Sequence, residues 1–157
     1  MHARRVVVGL IVVLVFIQFV PVTRSNPPVV DGIVFTDPNA LAIAKKACFD
    51  CHSNETVWPW YTQVAPLSWW TIHHVNEGRE ALNFSDIAGT IAHSTHHHDA
   101  DAEGPITGAN LAEHSAEHIE EGEMPPAYYT LIHGDANLSD AEKETLIAGI
   151  TQALANR

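Results

Sequence analysis

Cys48-Phe49-Asp50-Cys51-His52 constrains this chain more than any other stretch. Two cysteines three apart, with a histidine directly after the second, form the attachment signature of a c-type haem. One helical turn brings both thiols to the vinyl groups of a single macrocycle. The next side chain then lies under the iron and offers an imidazole nitrogen. A chain built this way must fold around a flat, rigid cofactor. Other readings of the motif fail on what surrounds it. A Cys-x-x-Cys redox pair follows a strand in a βαβ pattern, and no such pattern is present. A zinc knuckle needs a second pair of ligands at similar spacing, and Cys48 and Cys51 are the only cysteines in the sequence. One covalent haem c is expected.

The N-terminus supplies an address. Met1-His2-Ala3-Arg4-Arg5 is a short basic segment, and Val6 to Val20 then runs without a charge. Residues 1–23 therefore form a signal anchor or signal peptide and stand outside the fold. With Pro21 and Val22 the apolar run is about 17 residues, at the lower edge of what spans a bilayer. Pro21-Val22-Thr23-Arg24-Ser25 is a poor cleavage site, which favours an uncleaved anchor with Arg4 and Arg5 on the cytoplasmic side. The expected location is the bacterial periplasm, at the outer face of the inner membrane, where haem is attached covalently. Arg4, Arg5 and Arg24 belong to the anchor and its exit, so the remainder carries five cations against 19 carboxylates, a net charge of −14 with histidines neutral. Nucleic acid needs a basic footprint and is excluded as a partner. Basic surfaces of redox proteins, such as respiratory-chain components, suit such a charge, and so does plain solubility.

Beyond the anchor the sequence reads as all-α. Residues 24–36 are an extended tether, because Pro27-Pro28 forbids regular structure. The haem domain occupies residues 37–157. Asp37-Pro38 opens its first helix, with Leu41, Ala44 and Cys48 on one face. A second helix is expected from Pro66 to Gly78, and Ser85 or Asp86 would cap a short following segment. Residues 92–108 hold His93, His96, His97 and His98 among carboxylates and read as a flexible loop broken by Gly104-Pro105. Asn110-x-x-Glu113 resembles a capping box for a helix running to Gly122, with His114 and His118 at i and i+4. Ser139-x-x-Glu142 opens a last helix whose Leu146, Ile147, Ile150 and Leu154 form one stripe.

His52 fills one axial position of the iron, and the other needs a donor. Met124 is the only methionine besides the initiator. Gly122 turns the chain off the preceding helix, and Pro125-Pro126 stiffens the backbone that presents the sulfur. A thioether favours Fe(II) and raises the potential above that of a bis-histidine haem. His74, on a packed helix face, is the rival, and an open position is the third possibility. Trp58-Pro59-Trp60-Tyr61 forms a rigid aromatic loop after the proximal histidine, and Trp58, Trp60 and Tyr61 are candidates to cover the porphyrin edge.

These residues resemble the haem-binding domain family of small exported monohaem c-type cytochromes. The resemblance covers most of residues 24 to 155. It rests on Arg24-x-Asn26-Pro27-Pro28, on Cys48-x-x-Cys51-His52-Ser53-Asn54-x-Thr56-x-Trp58-Pro59-Trp60-Tyr61, and on Ala65-Pro66-x-Ser68-Trp69. His74-Val75-x-x-Gly78-Arg79-x-x-Leu82-Asn83-Phe84-Ser85 and Gly122-x-Met124-Pro125, with Tyr128 and His133, complete it. The resemblance implies covalent haem c, periplasmic exposure, an electron-transfer or haem-binding role, and Met124 at the family's methionine position. The element order is similar to the plan of methionine–histidine cytochromes c. Arg79 is a candidate partner for a haem propionate. The chain departs from the family where Asp86-Ile87 stands in place of a tryptophan and where the histidines of residues 93–98 appear. Imidazoles mixed with carboxylates suit zinc, copper or nickel.

The expected function is a non-enzymatic, membrane-tethered cytochrome that passes electrons between redox partners. Two alternatives differ in class. A haem-based sensor, or a peroxide- or gas-binding protein, needs a labile sixth ligand. A metal-handling protein would use His93, His96, His97 and His98.

Overall fold

The charge-free N-terminal run forms α1 (His2–Phe16), continued by a 3-10 turn over Ile17–Phe19. The structure is a computed structural model and describes residues 2–97 and 106–157. The 18 residues His2–Phe19 are long and apolar enough to cross a membrane, and none is buried by the rest of the chain. A signal sequence passes the same test.

Residues 24–36 are extended, as Pro27-Pro28 dictates, but they are not a free tether. Extended backbone leaves its N–H and C=O groups in need of partners, and the domain provides them. Val30 and Asp31 donate their amides to the Ser85 carbonyl at 3.0 and 3.2 Å, and Ile33 donates to the Phe84 carbonyl at 2.7 Å. Asn26 Nδ2 donates to the Thr56 carbonyl at 2.9 Å, and Arg24 to the Thr62 carbonyl at 3.1 Å. The segment is a strap laid along the domain.

Asp37 accepts the Asn39 amide at 2.8 Å and starts α2 (Pro38–Ala47), with proline in the first turn. The helix ends where Cys48 leaves helical geometry at φ −124°, and a separate short turn, α3 (Phe49–His52), carries Cys51 and His52. After a 3-10 turn over Trp60–Gln63, α4 runs Leu67–Ala81. It continues past Gly78, which is therefore not the expected helix stop. A Cβ on Gly78 would sit 2.8 Å from the Cys51 carbonyl oxygen, so glycine is needed where α4 crosses the cysteine turn.

The expected loop is also partly helical. Asp86 Oδ1 accepts the Gly89 amide at 2.9 Å and caps α5 (Ile87–His97), with Ile87 buried and Ile91 packed on the core. This helix takes in residues 92–97; those from 98 to 105 lie outside the described residues. Next, α6 (Gly108–Glu120) starts from Thr107 rather than Asn110. Thr107 Oγ1 accepts the Asn110 amide at 3.3 Å, and Asn110 Oδ1 accepts the Thr107 amide at 3.0 Å. Asparagine thus takes the reciprocal role usually given to glutamate or glutamine. Gly122 turns the chain at φ +76°, the left-handed region that disfavours a side chain. A short α7 (Ala127–Thr130) follows, then α8 (Asp140–Leu154) behind the reciprocal Ser139–Glu142 cap.

Helices α2, α6 and α8 enclose the core, where Ala44, Ile119, Leu146, Ile150 and Leu154 are buried. Lys46 and Glu142 join α2 to the start of α8 at 2.6 Å. Among the described residues there is no strand, only an isolated bridge between Asp31 and Asp86. The fold is all-α.

Candidate functional site

A cavity of about 380 Å³ opens between α3 and α4 on one side and α6, the Met124 loop and α7 on the other. Cys48, Cys51, His52 and Met124 all line it, so residues far apart in sequence meet at one site. Its remaining walls are largely apolar, with Ala47, Leu82, Phe84, Leu111, Ile119 and Leu146 among them.

The cysteine wall is held from several directions. His52 Nδ1 lies 3.0 Å from the Leu82 carbonyl. A carbonyl only accepts, so Nδ1 carries the proton and Nε2 keeps its lone pair. Burial lowers the His52 pKa, and the imidazole stays neutral as a metal ligand requires. The His52 carbonyl accepts the Phe84 amide at 2.7 Å, and Ser85 Oγ accepts the Asn54 amide at 2.9 Å. Asp50, one of the two residues between the cysteines, accepts the Val57 amide at 2.9 Å through Oδ1 and the Tyr129 hydroxyl at 2.9 Å through Oδ2. Burial and the Asp50 carboxylate push the Tyr129 pKa up, which keeps it a phenol and a donor. Burial also pushes the Cys48 thiol up to about 12, and burial with the Asp50 charge takes Cys51 to about 11. Both are thiols, not thiolates, at neutral pH.

Fewer bonds hold the methionine wall. The amides of Glu123 and Met124 both donate to the His118 carbonyl at 3.0 Å, and Pro125-Pro126 follow. Met124 is 37% exposed. His118 Nδ1 meets Glu123 Oε2 at 2.6 Å, and His118 Nε2 lies 3.1 Å from His114 Nε2. His74, His114 and His118 also line the cavity.

Several expected positions fall elsewhere. Arg79 does not line the cavity. Its guanidinium donates to the Ser53 carbonyl (2.8 Å), the Ser25 carbonyl (3.0 Å), Asn26 Oδ1 (3.1 Å) and Thr56 Oγ1 (2.8 Å). It ties the strap to the cysteine turn and has little left for a propionate. Trp58, Trp60 and Tyr61 do not line the cavity either; its aromatic lining comes from Phe84, Tyr128 and Tyr129. Trp58 Nε1 donates to Asn26, Trp60 is 76% exposed, and Tyr61 Oη pairs with His133 Nε2 at 2.9 Å. His93, His96 and His97 belong to α5, and His98 lies outside the described residues. Among the described residues, no three of His, Cys, Asp or Glu are grouped to hold a metal ion.

Gly78, Leu82, Asp50 and Tyr129 are site residues that motif reading missed. Gly78 and Leu82 stand inside a recognised motif, but nothing in the sequence shows that a backbone carbonyl orients His52. Asp50 occupies a position the attachment signature leaves free.

The donor set fits a haem. Two protonated thiols and a neutral imidazole line an apolar cavity on one side, and a thioether lines it on another. Fold and cavity together define a helical haem-holding domain. The family model described as a haem-binding domain matches residues 12–152, and the chain belongs to that family. No curated protein and no solved structure matches the chain.

Proposed function

We propose that this protein is a monohaem c-type cytochrome that carries electrons outside the bacterial inner membrane, with α1 as its anchor. The observation that carries the reading is Cys48, Cys51, His52 and Met124 on the walls of one apolar cavity. A haem bound there supplies a one-electron Fe(III)/Fe(II) couple. Cys48 and Cys51 hold it through thioethers, so it survives exposure to the periplasm. His52, locked by the Leu82 carbonyl, presents Nε2 to the iron. Met124 would supply the sixth ligand, and its thioether would favour the reduced state. With His52 and Met124 both given to the iron, small molecules would be kept off it, which would suit transfer rather than catalysis. The acidic surface, −14 beyond the anchor, steers the domain to basic faces of redox partners.

Haem staining on denaturing gels tests the attachment. The full chain, expressed with a cytochrome c maturation system, should keep its haem after denaturation, and the Cys48→Ala/Cys51→Ala variant should lose it. Stain retained by the double variant overturns the covalent assignment. A histidine sixth ligand is a specific second reading, because His74 and His118 line the same cavity as Met124.

A further inference from the structure

The sixteen residues Val57 to Ile72 contain no acidic or basic side chain, in a chain whose part beyond the anchor carries −14. Glu55 precedes the stretch and His73 ends it. Within it, Trp60, Val64 and Leu67 are 76%, 43% and 49% exposed. An apolar surface left in water is a cost that usually marks a contact. At Ala65, between Val64 and Leu67, the stretch is clamped to the end of the N-terminal helix. Gln18 Nε2 donates to the Ala65 carbonyl at 3.1 Å, and the Ala65 amide donates to Gln18 Oε1 at 2.9 Å. The same amide group holds both backbone atoms of one residue, which fixes distance and orientation together. Six residues on, Arg24 donates to the Thr62 carbonyl at 3.1 Å, a second tie to the same stretch. Phe19 and Val20, beside Gln18, are exposed as well.

We propose that Trp60, Val64 and Leu67 form a second membrane contact, a seat that rests in the interfacial layer of the bilayer that α1 crosses. The inference depends on α1 remaining as an uncleaved anchor. Three observations favour lipid over a protein partner. The clamp puts the apolar stretch at the point where the anchor leaves the membrane. Tryptophan suits the headgroup boundary, where its ring is half apolar and half wet. The missing charge is explained too: anionic headgroups repel the acidic remainder of the domain but not this face. Arg24 adds a cation at the same level. The cytochrome domain is then held in one attitude on the membrane by the anchor, the Gln18–Ala65 clamp and the seat. Its cavity cannot swing freely between distant partners, and electron exchange is confined to partners beside it in the same membrane.

Photo-crosslinking in vesicles tests the seat. The full haem-loaded chain is placed in phosphatidylethanolamine–phosphatidylglycerol vesicles doped with a lipid that carries a diazirine high on one acyl chain. Light releases nitrogen, the carbene inserts into neighbouring bonds, and lipid adducts are mapped by mass spectrometry. Adducts are expected on α1 and on peptides spanning residues 57–72, and not on α8. In the Val64→Glu/Leu67→Glu variant the second set should be lost while α1 adducts and the visible haem spectrum persist, the spectrum reporting an intact fold. Adducts confined to α1 overturn the seat and leave the anchor standing. Absence of α1 adducts, with release of the chain by alkaline carbonate, removes the anchor and the seat together.

Discussion

The two walls of the cavity are built to different standards. On the cysteine side, His52, Asp50 and the turn around them are bonded to Leu82, Phe84, Ser85, Val57 and Tyr129, while Gly78 presses α4 against Cys51. On the methionine side, Met124 hangs on an exposed turn held by two amide hydrogen bonds to the His118 carbonyl and by the His118–Glu123 contact, and it remains 37% exposed. The difference separates two tasks. If haem is attached as proposed, the cysteine wall must exist beforehand, because two thiols and an imidazole would have to meet one rigid macrocycle at once. The methionine wall can close afterwards, since a single sulfur on a short loop needs only to reach the iron. Under the proposed ligation, the first wall would carry the stability and the second would set the redox potential.

That contrast is breakable. Arg79→Ala should give the largest loss of stability. It removes four hydrogen bonds between strap, cysteine turn and α4, at about 3 kcal/mol on the scale of individual protein hydrogen bonds. Urea unfolding of the haem-loaded chain measures it. An unchanged midpoint would mean that the strap is not part of the cysteine wall. Gly78→Ala follows at about 2 kcal/mol, the scale of overpacking a tight contact, because the new methyl group would lie 2.8 Å from the Cys51 carbonyl oxygen. It should also lower the yield of attached haem, read as the ratio of haem absorbance to protein.

The smallest effect is pH-dependent and belongs to the haem-free chain. Burial holds the His52 pKa below its ordinary 6.5, so the unfolded chain binds more protons than the folded one in acid. Stability is then full above pH 6.5 and is lost as pH falls through and below that value. Urea midpoints at pH 7.5 and 5.5 should show a drop in the parent chain that is smaller in His52→Gln. Equal drops would place the sensitivity elsewhere.

Much of the fold was legible, and its limits have physical reasons. Asp37-Pro38 and Ser139-x-x-Glu142 are local signals, and both helices start where these residues place them. Gly122 likewise turns the chain after α6. Gly78 misled because a helix-ending glycine and a glycine at a close crossing look alike in sequence; only the position of Cys51 distinguishes them. Thr107 is hard to see as a cap because asparagine at the third helical position does not match the usual glutamate. Arg79 reads as a haem partner because its charge is local information, whereas its four acceptors come from two separate segments, the strap and the turn after His52. The strap was hidden for the same reason: Pro27-Pro28 specifies extended backbone but not what that backbone pairs with. At the cavity, Cys48, Cys51 and His52 are legible as neighbours from their spacing alone, and the carbonyl that orients His52 is not.

The central claim is a haem held by His52 from one wall and Met124 from the other. Optical and EPR spectra of the purified full-length protein, parent and Met124→Ala, test it most directly. The account predicts a six-coordinate low-spin haem in the parent, with the weak sulfur-to-iron charge-transfer band in the oxidised form. In Met124→Ala that band should vanish while covalent haem and folded stability persist. A parent spectrum that survives the substitution unchanged would contradict the account and give the sixth position to another side chain.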